Sequence, residues 1–355
     1  PWLSKISSMQ SGTFAGFTAL IVDESTQFKS HKSRRWKSLR SLLPHFAKRV
    51  ILTGTPAPNS YLDLYTQMFI LDGGKALGPN ITRFRNRYFY RGGFMGREFL
   101  PIELAGTQIE KAIAPLVLRM SAGDHLDMPP ITTNTVSVTL PPAARKQYKQ
   151  LERELFADLD DGGSVFAGTA GAKYHACRQV ANGGAYEATD SGRITHEIHT
   201  AKIDAVAELD AELHGKPLLI AYQFNHDLCR LHERWPKIVT INGQTKPAES
   251  ASIVDQWNAG TIQRLAVQPQ ALSHGVNMQY GPGRDIAWLG LTDSLETYEQ
   301  LNRRIYRQGV GGQVRIHHIL TRGTVDQAMA RRLVAKDKTQ QGLLAALAAN
   351  RNSNR

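Results

Sequence analysis

The chain has 355 residues, which is enough for two domains with hydrophobic cores or for one large domain. Its formal net charge of +12 at pH 7 favours an anionic polymer as partner over an acidic small molecule. Two cysteines are too few for a disulfide framework or a zinc cluster, and they fit a reducing compartment. There is no apolar span of about 20 residues and no signal pattern, so the sequence predicts a soluble cytoplasmic protein without a membrane partner.

The first informative stretch is an apolar run over residues 18–26 that stops at two adjacent carboxylates, Asp23 and Glu24. The run predicts a strand buried on both faces of a parallel sheet, where ligands bind beyond the carboxyl ends of the strands. In a nucleotide-hydrolysing site Asp23 would hold Mg²⁺, usually through water, and Glu24 would polarise the attacking water. The alternative is a strand followed by a solvated acidic turn.

A basic segment over residues 29–37 follows and predicts the start of a helix on the rim of the sheet. It is either a solvated helix face or a contact to a phosphate backbone. The candidates for such a DNA contact are Lys29, Lys32, Arg34 and Arg35.

A second apolar run, residues 49–52, predicts a second buried strand that ends in Thr53, Gly54 and Thr55. Residues 36–46 are numerous enough to form a crossover helix between the two strands. If the strands are parallel, the carboxylates and the threonines meet at the same edge of the sheet.

Helical spacing of apolar residues predicts a helix over residues 63–71 and another over residues 109–120 that is broken at Pro115. Arginines alternate with aromatic residues between these two helices. Such interleaving can stack bases, but core packing is the preferred interpretation for most of the aromatic rings, with the arginines exposed. An alternating strand is predicted over residues 133–140.

A helix is predicted over residues 143–159, and the glycine-rich residues 160–193 form the least ordered stretch and the best domain junction. His196 and His199 lack acidic or cysteine partners at ligand spacing, so surface positions are favoured over metal binding. Strands over residues 217–222, 238–241, 264–267 and 285–291 alternate with helices, which predicts a second parallel sheet.

The most specific segment is residues 296–309, in which Gln300, Arg304 and Arg307 are spaced i, i+4 and i+7. This spacing predicts one shared helical face that presents two guanidiniums suited to phosphate. The alternative is a basic helix paired with acidic side chains. A polar loop over residues 273–279, with a glycine at position 275, lies upstream.

In this order the segments resemble motifs of superfamily 2 helicase-like ATPases of the Swi/Snf-related group, in a compact form like those of phages and prophages. Asp23-Glu24-Ser25-Thr26 resembles motif II, and residues 52–56 with Thr53, Gly54 and Thr55 match motif III. The loop with Gly275, Asn277 and Gln279 resembles motif V. The segment with Gln300, Arg304, Arg307 and Gly309 resembles motif VI.

The resemblance implies an α/β fold with two RecA-like parallel-sheet lobes, the first incomplete, and a helical insertion or linker between them. The first lobe is expected over residues 1–140, with the helical insertion from about residue 61, and the helical linker over residues 141–215. The second lobe is expected over residues 216–323, and a C-terminal helix and tail over residues 324–355. It also implies ATP and Mg²⁺ as cofactors, with Mg²⁺ at Asp23, water activation by Glu24 and phosphate contacts from Arg304 and Arg307. Thr53, Thr55, the loop over residues 275–279 and Gln300 would couple ATP to duplex DNA, in a bacterial or phage-infected cytoplasm.

Two departures from the family pattern qualify this implication. No Gly-x-x-x-x-Gly-Lys-Ser/Thr phosphate loop occurs, and Ser25-Thr26 replaces the usual Ala-His. The expectation is therefore a fragment whose phosphate loop lies upstream, with little or no ATP hydrolysis alone. A non-catalytic nucleic-acid-binding module on the same scaffold is the alternative, while a nuclease or methyltransferase subunit lacks sequence support.

Overall fold

The computed structural model describes residues 16–92, 98–118, 127–154, 156–158, 164–166, 169–189, 192–272 and 275–352. The chain divides into two compact units. The first unit comprises residues 1–121 and 334–355, and the second unit comprises residues 122–333. The four-part division expected from the sequence stays a prediction. Across these described ranges, no helix combines the length and the apolar character needed to cross a membrane.

The first unit contains two strands that pair in parallel, β1 (Ala19–Val22) and β2 (Lys48–Ile51). Helix α1 (Arg34–Leu42) connects them, which confirms the predicted crossover. The remaining elements of residues 52–118 are α2 (Leu64–Asp72), α3 (Ile81–Tyr88), β3 (Phe89–Gly92), β4 (Glu98–Pro101) and α4 (Ala105–Ile113). A short 3₁₀ turn over Ala114–Leu116 follows α4, in agreement with the break predicted at Pro115.

The β1–β2 sheet is covered on one face. Val22 packs with Trp36 and Leu39 of α1 and with Ile70 of α2. Because side chains alternate along a strand, the neighbouring residues point to the opposite face. There Ile21 is 68% exposed, and two residues of β2 and the turn after it, Val50 and Leu52, are also exposed. The expectation that these strands are buried on both faces is therefore wrong for the described residues, in which no element covers the second face.

A separate core forms around α2, α3 and α4 of the first unit. Phe84, Tyr88 and Phe89 are buried, and the Phe84 ring contacts the rings of the other two, while Tyr90 is exposed. Core packing of most aromatic residues in this segment is thus confirmed. The neighbouring Arg83, Arg87 and Arg91 are exposed, as expected.

The second unit is built on a six-stranded sheet in the order β11-β12-β10-β13-β14-β5, with every neighbouring pair parallel. Its strands are β5 (Ile131–Val138), β10 (Leu218–Ala221), β11 (Val239–Ile241), β12 (Arg264–Val267), β13 (Asp285–Trp288) and β14 (Val314–Thr321). The predicted second parallel sheet, and with it the α/β class, is confirmed. β5 pairs with β14 along its whole length, from Ile131 opposite Val314 to Val138 opposite Thr321.

Helices cover both faces of this sheet. They are α5 (Pro142–Glu154), α6 (Ala170–Asn182), α7 (Ala201–Glu212), α8 (Asn225–Arg234), α9 (Pro247–Asn258), α10 (Leu295–Ile305) and α11 (Val325–Asn352), the last of which continues into the first unit. Leu219 and Trp288 belong to the core on one face, and Ile220 and Ala287 to the core on the other. The central strands are therefore apolar throughout, as expected for a doubly covered parallel sheet.

The stretch predicted to be least ordered contains regular elements. Two short strands, β6 (Phe156–Asp158) and β7 (Ser164–Phe166), form one hairpin, and β8 (Gly184–Thr189) and β9 (Gly192–Glu197) form another after α6. Gly183 ends α6 with a φ of 107°, a conformation that favours glycine. Gly183 thus serves a tight turn, and the domain junction expected in this stretch stays a prediction.

His196 and His199 are buried, so the expectation of surface histidines is wrong. His196 Nε2 lies 2.9 Å from Glu187 Oε2, and His199 Nε2 lies 2.9 Å from the Val180 carbonyl oxygen. Burial lowers the pKa of His199 to about 4. His196 lies on β9 of the β8–β9 hairpin, and His199 lies just after the hairpin against α6. Helical or strand periodicity over so few residues gives no sign of either contact.

An ion pair between α7 and α11 is buried in the second unit. Lys202 Nζ lies 2.6 Å from Asp326 Oδ2, and neither side chain exposes more than 4% of its surface. Nζ also donates to Asn182 Oδ1 at 2.7 Å and to the Leu289 carbonyl oxygen at 3.0 Å. The three donors of the ammonium group are thereby all satisfied.

Candidate ATP and DNA sites

The polar ends of β1 and β2 lie side by side in the first unit. Leu52 N donates to the Val22 carbonyl oxygen at 2.9 Å, and Ser25 N donates to the Leu52 carbonyl oxygen at 3.0 Å. Parallel pairing thus brings Asp23 and Glu24 to the same edge as the turn that contains Thr53, as predicted. This edge is where ligands of parallel sheets bind.

Glu24 adopts a left-handed backbone conformation, with φ 48° and ψ 55°. Its amide donates to Asp23 Oδ1 at 2.8 Å, and its carbonyl oxygen accepts from Gln27 N at 3.0 Å. For a residue other than glycine this conformation costs roughly 1–2 kcal/mol, and such strain concentrates at functional sites. The turn therefore holds the Asp23 carboxylate in place despite a local energetic cost.

Gln67 of α2 joins the turn after β1 to the turn after β2. Its Oε1 accepts from the buried hydroxyl of Ser25 at 2.8 Å. Its Nε2 donates to the carbonyl oxygens of Pro56 and Asp63, both at 2.7 Å. The sequence prediction missed this residue, although its place beside the apolar stripe of α2 marks it as a polar residue that must be buried.

The motif III turn is compact. Thr55 N donates to Thr53 Oγ1 at 3.1 Å, and Thr55 is buried. Gly54 between them is exposed. Thr53 is half-buried, and its hydroxyl accepts the hydrogen bond that closes the turn. Of these three residues, Gly54 is the one exposed to solvent.

Asp23 can contribute one carboxylate to a metal site. It is exposed, and oxygen is the ligand type that Mg²⁺ prefers. Within the described ranges there is no group of three or more His, Cys, Asp or Glu side chains that could hold a metal. A magnesium ion at Asp23 would thus take its other ligands from water and nucleotide phosphates, which is its usual mode in phosphate-binding sites.

The four basic candidates for DNA contact lie around the start of α1. Lys29 is half-buried and Lys32 is exposed, and Arg34 and Arg35 occupy the first turn of the helix, where both are exposed. Arg35 Nη1 donates to Gln27 Oε1 at 3.0 Å. The N-terminus of a helix carries partial positive charge, and these basic side chains add to it. An anion bound there would therefore be favoured by both the helix dipole and the side-chain charges.

In the second unit, Gln300 and Arg304 lie on α10, but the helix ends at Ile305. Tyr306 has a ψ of 84°, which takes the chain out of helical geometry before Arg307. The prediction that Gln300, Arg304 and Arg307 share one helical face is therefore wrong for Arg307. Arg307 instead starts a turn in which Val310 N donates to its carbonyl oxygen at 3.0 Å.

Both arginines nevertheless contact the motif V loop. Arg304 Nη1 donates to the Val276 carbonyl oxygen at 3.3 Å, and Met278 N donates to the Arg304 carbonyl oxygen at 3.0 Å. Arg307 Nη1 donates to Asn277 Oδ1 at 2.6 Å. The structure thus brings Arg304 and Arg307 of motif VI into contact with the motif V loop, and it places Gln300 on the same helix as Arg304.

The motif V loop is held from its other side by α9. Asn258 Nδ2 donates to the Asn277 carbonyl oxygen at 2.8 Å, and Trp257 Nε1 donates to the Met278 carbonyl oxygen at 3.3 Å. Gly275 has a φ of 73°, and Gln279 is buried. Residues 273 and 274, which the sequence also placed in this loop, lie outside the described residues.

An α/β chain with carboxylates after one strand and an arginine pair that contacts a glycine-bearing loop is typical of helicase-like ATPases. The SNF2-related domain family matches residues 3–171. The chain belongs to this family, the Swi/Snf-like ATPases of superfamily 2. Its members use ATP, act on DNA and include ATP-dependent helicases and translocases.

Individual relatives cover most of the chain. The putative protein p41 of Acyrthosiphon pisum secondary endosymbiont phage 1 is 35% identical over 93% of this chain and 73% of its own length. The CHD3-type chromatin-remodeling factor PICKLE of Arabidopsis thaliana is 22% identical over 87% of this chain and 22% of its own. The DNA annealing helicase and endonuclease ZRANB3 of Mus musculus is 25% identical over 88% of this chain, which spans 28% of that protein.

Proposed function

We propose that this chain carries the motif II to motif VI part of an ATP-dependent DNA translocase with two RecA-like lobes. The observation that carries the proposal is the contact of Arg304 and Arg307 with the motif V loop in the second unit. Two guanidiniums that are held by hydrogen bonds to the same loop form a rigid cationic group suited to phosphate oxygens. Four motifs of the family in the family's order support the same function.

The proposed roles follow from the chemistry of the side chains. Asp23 would hold Mg²⁺, which supplies charge neutralisation on the phosphates of ATP when it is bound. Glu24 would orient and polarise the attacking water. Arg304 and Arg307 would stabilise negative charge on the departing phosphoryl group, a contribution typical of arginines in phosphoryl transfer.

The proposed path from ATP to DNA uses the contacts that tie each site to its neighbours. In the first unit, Ser25 and Gln67 connect the carboxylate turn to the motif III turn at Thr53 and Thr55. In the second unit, a shift of Arg304 would displace Val276 and Met278 in the motif V loop. The DNA grip itself would use duplex phosphates and the basic start of α1, consistent with the net charge of +12.

The second candidate function is a non-catalytic nucleic-acid-binding module. It is favoured by one observation, the absence of a Gly-x-x-x-x-Gly-Lys-Ser/Thr loop from the 355 residues. Without such a loop in the assayed polypeptide, ATP turnover is expected to be weak or absent. A measurement of ATP turnover alone therefore distinguishes the two functions poorly. The effect of a bound nucleotide on DNA affinity distinguishes them better.

The deciding experiment measures duplex DNA affinity at fixed salt with and without Mg²⁺ and a non-hydrolysable ATP analogue. A translocase requires the two ligands to be coupled, so the analogue should change the DNA affinity by roughly five-fold or more. Arg307→Ala should remove this change. Arg303→Ala is the matched control, because Arg303 is exposed and pairs with Glu299 at 2.8 Å on the same helix.

Equal DNA affinity in the presence and absence of the analogue would favour the binding module. DNA-stimulated ATP hydrolysis that is lost in Glu24→Gln would support the translocase directly. It would also show that the expectation of inactivity for this chain is wrong.

A further inference from the structure

A cavity of about 310 Å³ lies within the first unit, between the segment after β1 and helices α2 and α3. Three basic side chains line it: Lys29, His31 and Arg85. Arg85 is half-buried, and its guanidinium carbon lies 4.4 Å from the centroid of the Phe99 ring, which holds it in place. We call this space the basic cavity.

Two residues that line the basic cavity each carry a buried polar atom without a hydrogen-bond partner among the described residues: Thr66 Oγ1 and Arg85 Nε. Thr66 is only 1% exposed. A buried polar group without a partner costs about 1–3 kcal/mol, so such groups mark places where a ligand or an ordered water completes the structure. Both atoms can donate a hydrogen, and a ligand that satisfies both must therefore accept.

The basic cavity has one carboxylate in its wall, that of Asp63, and it is already engaged. Asp63 Oδ2 accepts from Asn59 N at 2.9 Å and from Asn59 Nδ2 at 3.0 Å. Burial raises the pKa of Asp63, while the Asn59 hydrogen bonds and the positive charge of Lys29 lower it. The remaining charged groups of the wall are cationic, which leaves an excess of positive charge.

The electrostatic environment of His31 agrees with this excess of positive charge. Burial lowers the pKa of His31, and the positive charges of Arg85 and Lys32 lower it further. The groups facing its ring are therefore cations from α3 and from its own segment, with Lys29 and Asp63 also in the wall. An anion in the cavity would oppose these positive charges, and the ring would then take up a proton more readily.

We propose that the basic cavity is a binding site for a phosphate group. Arg85 and Lys29 supply the opposite charge, the Thr66 hydroxyl donates a hydrogen bond, and His31 becomes protonated as the anion binds. Phosphate oxygens accept several hydrogen bonds at once, which matches the set of donors in the wall. Two sources supply such a phosphate: a nucleic-acid backbone and free inorganic phosphate. The backbone source rests on the proposed function, whereas the binding of a phosphate group as such does not.

The test follows the ring of His31 in the whole chain by NMR, as a function of pH, with and without inorganic phosphate. The expected result is a rise in the pKa of His31 when phosphate is added, with saturable binding. Arg85→Gln should weaken phosphate binding about ten-fold, in line with the loss of one charge-assisted hydrogen bond. Arg83→Gln is the matched control, because Arg83 lies on the same helix but is exposed.

A second variant separates binding from folding. Thr66→Val keeps the shape of the side chain and removes its buried hydroxyl, which has no partner in the described part of the chain. It should therefore leave the unliganded fold as stable as the wild type or more stable, and weaken phosphate binding about three-fold to ten-fold. A hydroxyl with only a structural role would instead change stability and leave phosphate binding unaltered.

A parallel titration with a short DNA duplex identifies the source. Movement of the His31 pKa with both ligands supports a backbone phosphate, and Arg85→Gln should then reduce the salt dependence of DNA binding by about one phosphate contact. Movement with inorganic phosphate alone supports the site with a free phosphate as its ligand. No movement with either ligand in a folded protein overturns the proposal, whatever the outcome of the coupling experiment with the ATP analogue.

Discussion

Replacement of Lys202 by methionine should destabilise the second unit strongly. The ammonium group of Lys202 is the charge partner of Asp326 at 2.6 Å, and both side chains are almost completely buried. Methionine fills a similar volume without charge, so the substitution leaves the Asp326 carboxylate buried without its cation. The Asn182 and Leu289 oxygens lose a donor at the same time.

The expected cost can be derived from these contacts. Removal of one partner from a buried ion pair typically costs 3–5 kcal/mol, because the remaining charge stays desolvated. For a unit of this size, each kcal/mol corresponds to roughly 2–4 °C in melting temperature. The Lys202→Met variant should thus melt about 6–20 °C below the wild type. Asp326 keeps the amide of Thr321 as a donor at 2.9 Å, which places the expected loss at the lower end.

The assay is a double-mutant cycle by urea unfolding and calorimetry on the whole chain. Asp326→Asn in the Lys202→Met background removes the buried charge and should recover part of the lost free energy of unfolding. Lys216→Met is the control, since Lys216 is exposed in the loop before β10. A loss below about 1 kcal/mol for Lys202→Met, or no recovery in the double variant, would refute this account of the buried pair.

Two further predictions concern hydrogen bonding and pH. Ser25→Ala should lower the free energy of unfolding of the first unit by about 1–3 kcal/mol, because Gln67 Oε1 loses a buried donor at 2.8 Å. The exposed Ser41→Ala is the control in urea unfolding, and equal losses for both variants would contradict the prediction. Burial lowers the pKa of His199 and His318 from 6.5 to about 4, so the unfolded chain binds protons at a higher pH than the folded chain. Stability should therefore be complete above about pH 6.5 and fall as the pH is lowered towards 4. His318→Gln should make this fall shallower in urea unfolding at several pH values, and an unchanged slope would disprove the assignment.

The sequence was most informative where local chemistry decides the structure. Apolar runs that end in polar residues mark parallel strands and their functional edge, because both properties are set within a few residues. Asp23, Glu24 and Thr53 were therefore placed at one edge correctly. The sequence assigned Arg304 and Arg307 to phosphate and the motif V loop to coupling, and the contacts of the two arginines with that loop became visible only in the structure.

Errors arose where a residue depends on partners that are distant along the chain. Gln67 lies more than 40 positions from Ser25, so no local pattern reveals that it connects two turns. The helical face predicted for Arg307 failed because the end of α10 is set by the turn that follows it. His196 is buried in a hairpin whose pairing is a tertiary property, and His199 is buried beside the Val180 carbonyl oxygen, 19 positions away along the chain.

The uncovered face of the β1–β2 sheet affects how the protein behaves in common solution assays. Among the described residues of the first unit, Ile21, Val50 and Leu52 present apolar side chains to solvent. Dyes such as ANS bind exposed apolar surface and are widely used as indicators of molten globules. Folded protein with this face uncovered is therefore expected to give a dye signal before any unfolding, and near-UV circular dichroism is the better indicator of lost tertiary packing.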